Sequence, residues 1–143
     1  MTNVIYRGPL DRAPKTVNKP VTGALLPGTA VEESATNLVA LATAASKRVL
    51  ILSNMDFKDQ TVSDAYTSGD TGIAYLPRHG DRFAVAMAAA TYTLNQELTV
   101  DANGRFAAAA SGNRVVAFFV DTPATLTAGA LADVEIADGY IKA

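Results

Sequence analysis

Two apolar runs near the middle of the chain, residues 71–76 (TGIAYL) and 82–87 (RFAVAM), flank Pro77-Arg78-His79-Gly80-Asp81, whose proline and glycine punctuate the chain as a turn does. Strand, turn and strand in that order predict a hairpin. In the second run Phe83, Val85 and Met87 fall on one face and Ala84, Ala86 and Ala88 on the other, the two-residue period of a strand with unequal faces. The large face is expected in the core. Residues 114–121 (RVVAFFVD) form a nearly continuous apolar run that ends at Thr122-Pro123, as expected of a strand covered on both faces.

The remaining pattern is of the same kind. A turn at Pro27-Gly28 leads into a strand over 29–33, and residues 48–53 (RVLILS) are a strong β run. Residues 37–45 support two readings: Leu38, Leu41 and Ala45 have helical spacing behind Ser34 and Thr36, while 38–41 (LVAL) reads equally as a buried strand. The strand is preferred, because the run at 48–53 lies just beyond a polar turn and adjacent runs favour a hairpin. Alternation over 91–100, the Asn103-Gly104 pair expected in a type I′ turn, and a weaker strand over 106–110 follow. Near the end Val134 and Ile136 alternate with Asp133 and Glu135, and Asp138-Gly139 predicts a terminal hairpin into Tyr140-Ile141. Short strands at this spacing predict an all-β fold, a compact small β-barrel or sandwich of short antiparallel strands.

Residues 1–20 lack any such period and contain Pro9, Pro14 and Pro20. They are read as a flexible, extended N-terminal arm ahead of a single β domain over 21–143. Val4-Ile5-Tyr6 is a β-prone patch suited to adding to a neighbour's sheet edge; the competing reading is a loose terminus. Charge sharpens the division. Arg7, Arg12, Lys15 and Lys19 against Asp11 give the arm +3, so the total of −2 leaves −5 for the rest. Four separated cations are a thin footprint for nucleic acid, and no direct nucleic-acid binding is expected.

Composition narrows the chemistry. The absence of cysteine excludes disulfides, thiolate metal sites and a cysteine nucleophile. Of the 49% hydrophobic residues 27 are Ala, which bury little area each and suit close packing of flat faces or of subunits, or the inside of a narrow barrel. No apolar run is long enough for a transmembrane helix, and no signal-peptide pattern opens the chain. Asp64, Asp70, His79 and Asp81 are the cluster closest to an acid–base or metal constellation, but aspartates at turns cap backbone amides and a single loop histidine is more often solvated. No catalytic, metal or cofactor site is expected, and an enzyme is the least favoured class.

A resemblance supplies the functional expectation. Asp64-Ala65-Tyr66, Gly69-Asp70-Thr71, Pro77-Arg78 and Gly80-Asp81 around two apolar runs resemble the pattern of the head decoration (cement) proteins of tailed bacteriophages. Pro27-Gly28-Thr29 resembles that family's first core segment, and 94–98, 101–106 and 114–121 resemble its later strands, with Asn95-Gln96 standing where the family usually carries Gly-Asp. The resemblance implies a structural virion protein, made in the host cytoplasm, that binds the outer surface of an icosahedral head as a homotrimer at three-fold positions and stabilises the lattice of major capsid protein. On that reading Val4, Ile5, Tyr6, Arg7 and Arg12 are arm contacts, with Arg78 and His79 a second contact. The alternative is a β-barrel module binding nucleic acid or carbohydrate, for which Tyr66, Tyr75, Tyr92 and Tyr140 are the candidate aromatics.

Overall fold

A computed structural model describes residues 4–11, 13–44, 47–55 and 58–143. Among the described residues thirteen strands, most of them short, form three antiparallel sheets, and none of these residues is α-helical. The first sheet has the order β1 (Tyr6–Gly8), β7 (Arg82–Ala86), β13 (Leu131–Ile141), β11 (Arg114–Phe119), β9 (Glu97–Val100), β10 (Phe106–Ala108). The second runs β2 (Thr16–Pro20), β6 (Thr71–Tyr75), β5 (Leu50–Leu52), β3 (Ala30–Glu33), β4 (Leu38–Ala40). A two-stranded ribbon pairs β8 (Ala90–Tyr92) with β12 (Ala124–Leu126). The arrangement is sandwich-like. Neither large sheet is closed into a barrel, although an isolated bridge, Val21↔Leu38, links the two edges of the second, and another, Met87↔Phe106, links the end of β7 to the edge strand β10 in the first.

The apolar pattern explains where the core sits. Phe83 and Val85 of β7, with Met87 just beyond it, lie in the main cluster with Leu98, Phe106, Phe119 and Val134, and they meet Ala30 and Ile51 of the second sheet. The centre of the second sheet is buried on both faces. Ile51 points into the main cluster, whereas Leu50 and Leu52 join Val21, Val31, Leu38, Tyr66 and Ala74 in a smaller one. That double burial is the reason the run at 48–53 is continuously apolar. In β11, Val115 to Ala117 are all buried between β9 and β13, as the run at 114–121 predicts.

The pairing differs from expectation in several places. The runs at 71–76 and 82–87 are strands, but they do not form a hairpin: β6 pairs with β2 and β5, and β7 with β1 and β13. The link between them crosses from one sheet to the other. Its polar groups are satisfied by the crossing itself, because Gly80 N donates to Ile136 O at 2.9 Å, Ile136 N to Asp81 O at 2.8 Å, and Leu76 N to Lys15 O at 2.8 Å. Likewise the run at 37–45 forms a strand, β4, but it pairs with β3 and not with β5. Local alternation sets faces; it carries no information on partners.

The expected terminal hairpin is instead one long strand, β13, interrupted by a bulge. Between the pairs Val115↔Tyr140 and Ala117↔Ile136, Val116 alone faces Ala137, Asp138 and Gly139. Gly139 takes a φ of 81°, so the Asp-Gly signal marks a bulge where it had suggested a reversal. The hairpin of β9 and β10 is present, but its loop is wider than type I′. Gly104 has positive φ and Asn103 does not, and the Asp101 carboxylate accepts from the amides of Asn103 and Arg105 at 2.8 and 3.0 Å.

Residues 1–20, read as an arm, contribute two strands. Tyr6–Gly8 pairs with β7, and Thr16–Pro20 lies along β6 over five residues. Ile5 is 1% exposed within the main cluster, and the Tyr6 ring packs on Phe83 and Tyr75 at centroid distances of 5.3 and 5.8 Å. β2 leaves Thr16, Asn18 and Pro20 exposed, pairs with β6 through its backbone, and packs Val17 on the smaller cluster and Lys19 against Glu33 at 2.8 Å, so a single apolar residue is all that announces it.

Candidate functional site

The residues nominated as contacts separate into three environments. Val4 is 38% exposed, and Arg7 donates from Nε to Val4 O at 3.0 Å and pairs through its guanidinium with Asp133 at 3.5 Å. Arg7 thereby reaches across β7 to β13, on the outer face that also carries the Arg82–Glu135 pair. Ile5 is in the core and offers nothing to a partner. Tyr6 is half-buried, and its hydroxyl donates to Pro9 O. Arg12 lies outside the described residues. Leu10, 89% exposed between β1 and β2, is an apolar group on this edge that the sequence reading passed over, since a single leucine in an aperiodic segment carries no signal.

The crossing loop divides its two candidates. Asp81, fully buried, accepts from Arg78 N at 3.0 Å and from Arg78 Nε at 3.1 Å, so the carboxylate caps the loop as the sequence predicts for an aspartate at a turn. The bond to Asp81, and to a smaller degree Tyr6, hold the Arg78 guanidinium above its ordinary pKa, against the opposing effect of burial. Arg78 is thus joined electrostatically to β1. His79 faces elsewhere: its Nδ1 is 2.8 Å from Asp138 Oδ1 in the β13 bulge, and both side chains are well exposed.

Of the residues that resembled a constellation, Asp64, Asp81 and His79 are engaged separately. Asp64 accepts from Thr61 N at 2.9 Å, and that bond lowers its pKa. Asp81 serves Arg78 and His79 serves Asp138. Among the described residues no group of three or more His, Asp or Glu is placed to hold a metal ion. The aromatic candidates of the alternative reading are dispersed too: Tyr66 and Tyr92 are buried, Tyr75 packs between Tyr6 and Phe83, and Tyr140 alone is exposed.

One feature on the seam between the sheets was not foreseen. A cleft of about 300 Å³ opens beside the β13 bulge, with Val49, Leu76, Phe106, Val116 and Ile136 below and Arg48, Arg114, His79 and Asp138 around it. Arg114 Nη1 donates to Ala44 O and Lys47 O, at 2.9 Å each, and fixes the guanidinium in place. The signals were present only separately, as Arg114 opening a core run and Asp138-Gly139 near the terminus, and it is the bulge that brings them together.

No family model matches the chain, and no curated protein matches its sequence. Among solved structures the chain is similar to the N base of head fiber gp8.5 of bacteriophage phi29, in its crystal structure, with a TM-score of 0.60 and 12% identity. The match covers 90% of this chain and 98% of the other, so the likeness of fold includes both large sheets.

Proposed function

We propose that this chain is a structural protein of a phage head. It binds the outer surface of the icosahedral shell, as a homotrimer at three-fold positions, and stabilises the lattice of major capsid protein. The observation that carries the reading is the fold shared with a head fiber base over 90% of the chain, which agrees with the resemblance of the turns at 27–29, 69–71 and 77–81 to head decoration proteins. The physics is additive. Each contact contributes modestly, and a trimer multiplies the contributions through effective concentration. A protein that binds the assembled lattice and not its dispersed subunits then favours the lattice by mass action.

Val4, Leu10 and Arg7 form the contact edge in this reading, with Arg78 beside it, Ile5 supporting it from below, and His79 a separate contact at the β13 bulge. The chain has no catalytic role. Of the aromatics that the nucleic-acid or carbohydrate reading needs, Tyr140 alone is exposed, and a stacking platform requires several.

Co-sedimentation with expanded, undecorated phage heads tests the proposal, with procapsids and bare DNA as controls. Saturable binding to expanded heads at a stoichiometry set by their three-fold positions is the expected result, weakened in a Val4→Asp, Leu10→Asp double variant. Retention on DNA, or indifference to every shell, would overturn it. Removing residues 1–20 is a poor test, since it strips β1 and β2 from the fold.

A further inference from the structure

The cleft on the seam has the construction of a binding site. Its floor is apolar, formed by Val49, Leu76, Phe106, Val116 and Ile136, and its rim carries Arg48, Arg114, His79 and Asp138. Three of these four have partners: Arg48 pairs with Glu33 at 2.9 Å, and His79 Nδ1 lies 2.8 Å from the Asp138 carboxylate. Arg114 is different. It is half-buried, it spends one nitrogen on the carbonyls of Ala44 and Lys47, and among the described residues no carboxylate pairs with it.

A guanidinium removed from water without a counter-charge is costly, and an anion supplied from outside recovers part of that cost. Arginine held in a fixed orientation loses little entropy on forming a further bond, and its fork matches a carboxylate. The bulge explains why the opening exists at all. With Val116 facing three residues of β13, the strands separate, and Gly139 lies against the guanidinium so closely that an added Cβ would sit 3.0 Å from Nη2. Bulges recur where a strand re-aims its groups towards a ligand.

We propose that this cleft receives an extended segment of a partner protein in which a large apolar side chain stands next to a carboxylate, the apolar group on the floor and the carboxylate on Arg114. The argument for a segment is size. About 300 Å³ is the bottom of the range for small-molecule sites and accommodates one large side chain with its neighbouring group. The argument for a carboxylate is a guanidinium held in place by the Ala44 and Lys47 carbonyls that has no ion-pair partner among the described residues. The site follows from the seam alone and stands whether or not the partner is a phage shell.

The test is an amide chemical-shift titration of the full chain with the blocked tripeptide acetyl-Ala-Phe-Asp-amide, and with the same peptide carrying Asn in place of Asp. Saturable shifts centred on Val49, Ala137 and Gly139 are expected, with the Asp peptide about tenfold tighter, as for a charge-assisted bond over a neutral one. Arg114→Gln is expected to abolish that preference while leaving the weak apolar binding. Shifts located elsewhere, equal affinity for the two peptides, or an unchanged preference in folded Arg114→Gln would each overturn the proposal. If Arg114→Gln does not fold, the comparison of the two peptides on the unaltered protein decides.

Discussion

Tyr66 shows how one side chain can couple stability to pH. Its ring closes the smaller core beside Val21, Leu52 and Ala74, and its hydroxyl donates to Ser53 O. Burial pushes its pKa up to about 12, opposed by a bond from the Ile73 backbone and reinforced by the charge of Asp70. The direction of the linkage follows. In the unfolded chain a tyrosine ionises near pH 10, whereas in the folded chain Tyr66 keeps its proton, so its contribution is complete below pH 10 and declines as pH rises towards about 12. Chemical denaturation at pH 9 and at pH 11.5 is expected to show the unaltered protein losing on the order of 1–2 kcal/mol more than Tyr66→Phe over that interval. At pH 9 the variant is expected to be about 1 kcal/mol less stable, for want of the bond to Ser53. Parallel pH curves for the two proteins would show that Tyr66 ionises no later in the folded state than in the unfolded one.

At the scale of elements, the N-terminal strands separate what a sequence displays from what it conceals. Ile5 and Val4 are neighbours of equal appearance, yet Ile5 is 1% exposed and Val4 38%. Ile5→Ala is therefore expected to cost about 3 kcal/mol, through lost burial and a cavity beside Phe83, and Val4→Ala a few tenths of a kcal/mol. Equal, small effects on the denaturation midpoint would mean that β1 does not seal the core. β7 was legible from its alternating large and small side chains, and β5 and β11 from continuous apolar runs, because burial on one or both faces writes those patterns. β2 was not, since besides its backbone pairing along β6 only Val17 and the Lys19–Glu33 pair fasten it, and one apolar residue writes no pattern. Partners were illegible for the same reason: Asp81 and Pro77 mark a reversal correctly, but whether the chain returns to its own sheet or crosses to another depends on where Ile136 and Lys15 lie. The candidate contacts fared similarly. Residue type nominated Val4 to Arg7 together, and only the register of β1 on β7 assigns Ile5 to the core and Arg7 to the outer face.

For the whole molecule, the question is whether the two large sheets unfold as one body, and the turn at 101–105 carries much of the answer. It closes the β9–β10 hairpin of the first sheet, yet Ala30 N, on β3 of the second, donates to Gly104 O at 2.7 Å. Gly104 has φ +74°, and a Cβ there would stand 2.6 Å from Ala30 O and 2.8 Å from Thr29 Cγ2. A second such seam joins Ala86 N to Gly28 O at 3.0 Å, and Ile51 and Ala30 share the main cluster with Phe83 and Phe106. Bonds and core alike cross between the sheets, so neither sheet has a hydrophobic core of its own large enough to survive alone, and a single cooperative transition is expected. Under native conditions the amides of Ala30 and Ala86 should exchange hydrogen only through global unfolding, as slowly as those of β11. Gly104→Ala combines positive-φ strain with a backbone clash and is expected to cost about 3 kcal/mol while leaving one transition, its effect reaching β3 as fully as β10. If the substitution instead accelerates exchange in β9 and β10 alone, or splits the denaturation curve in two, the sheets are separate cooperative units and the seam is a contact between them.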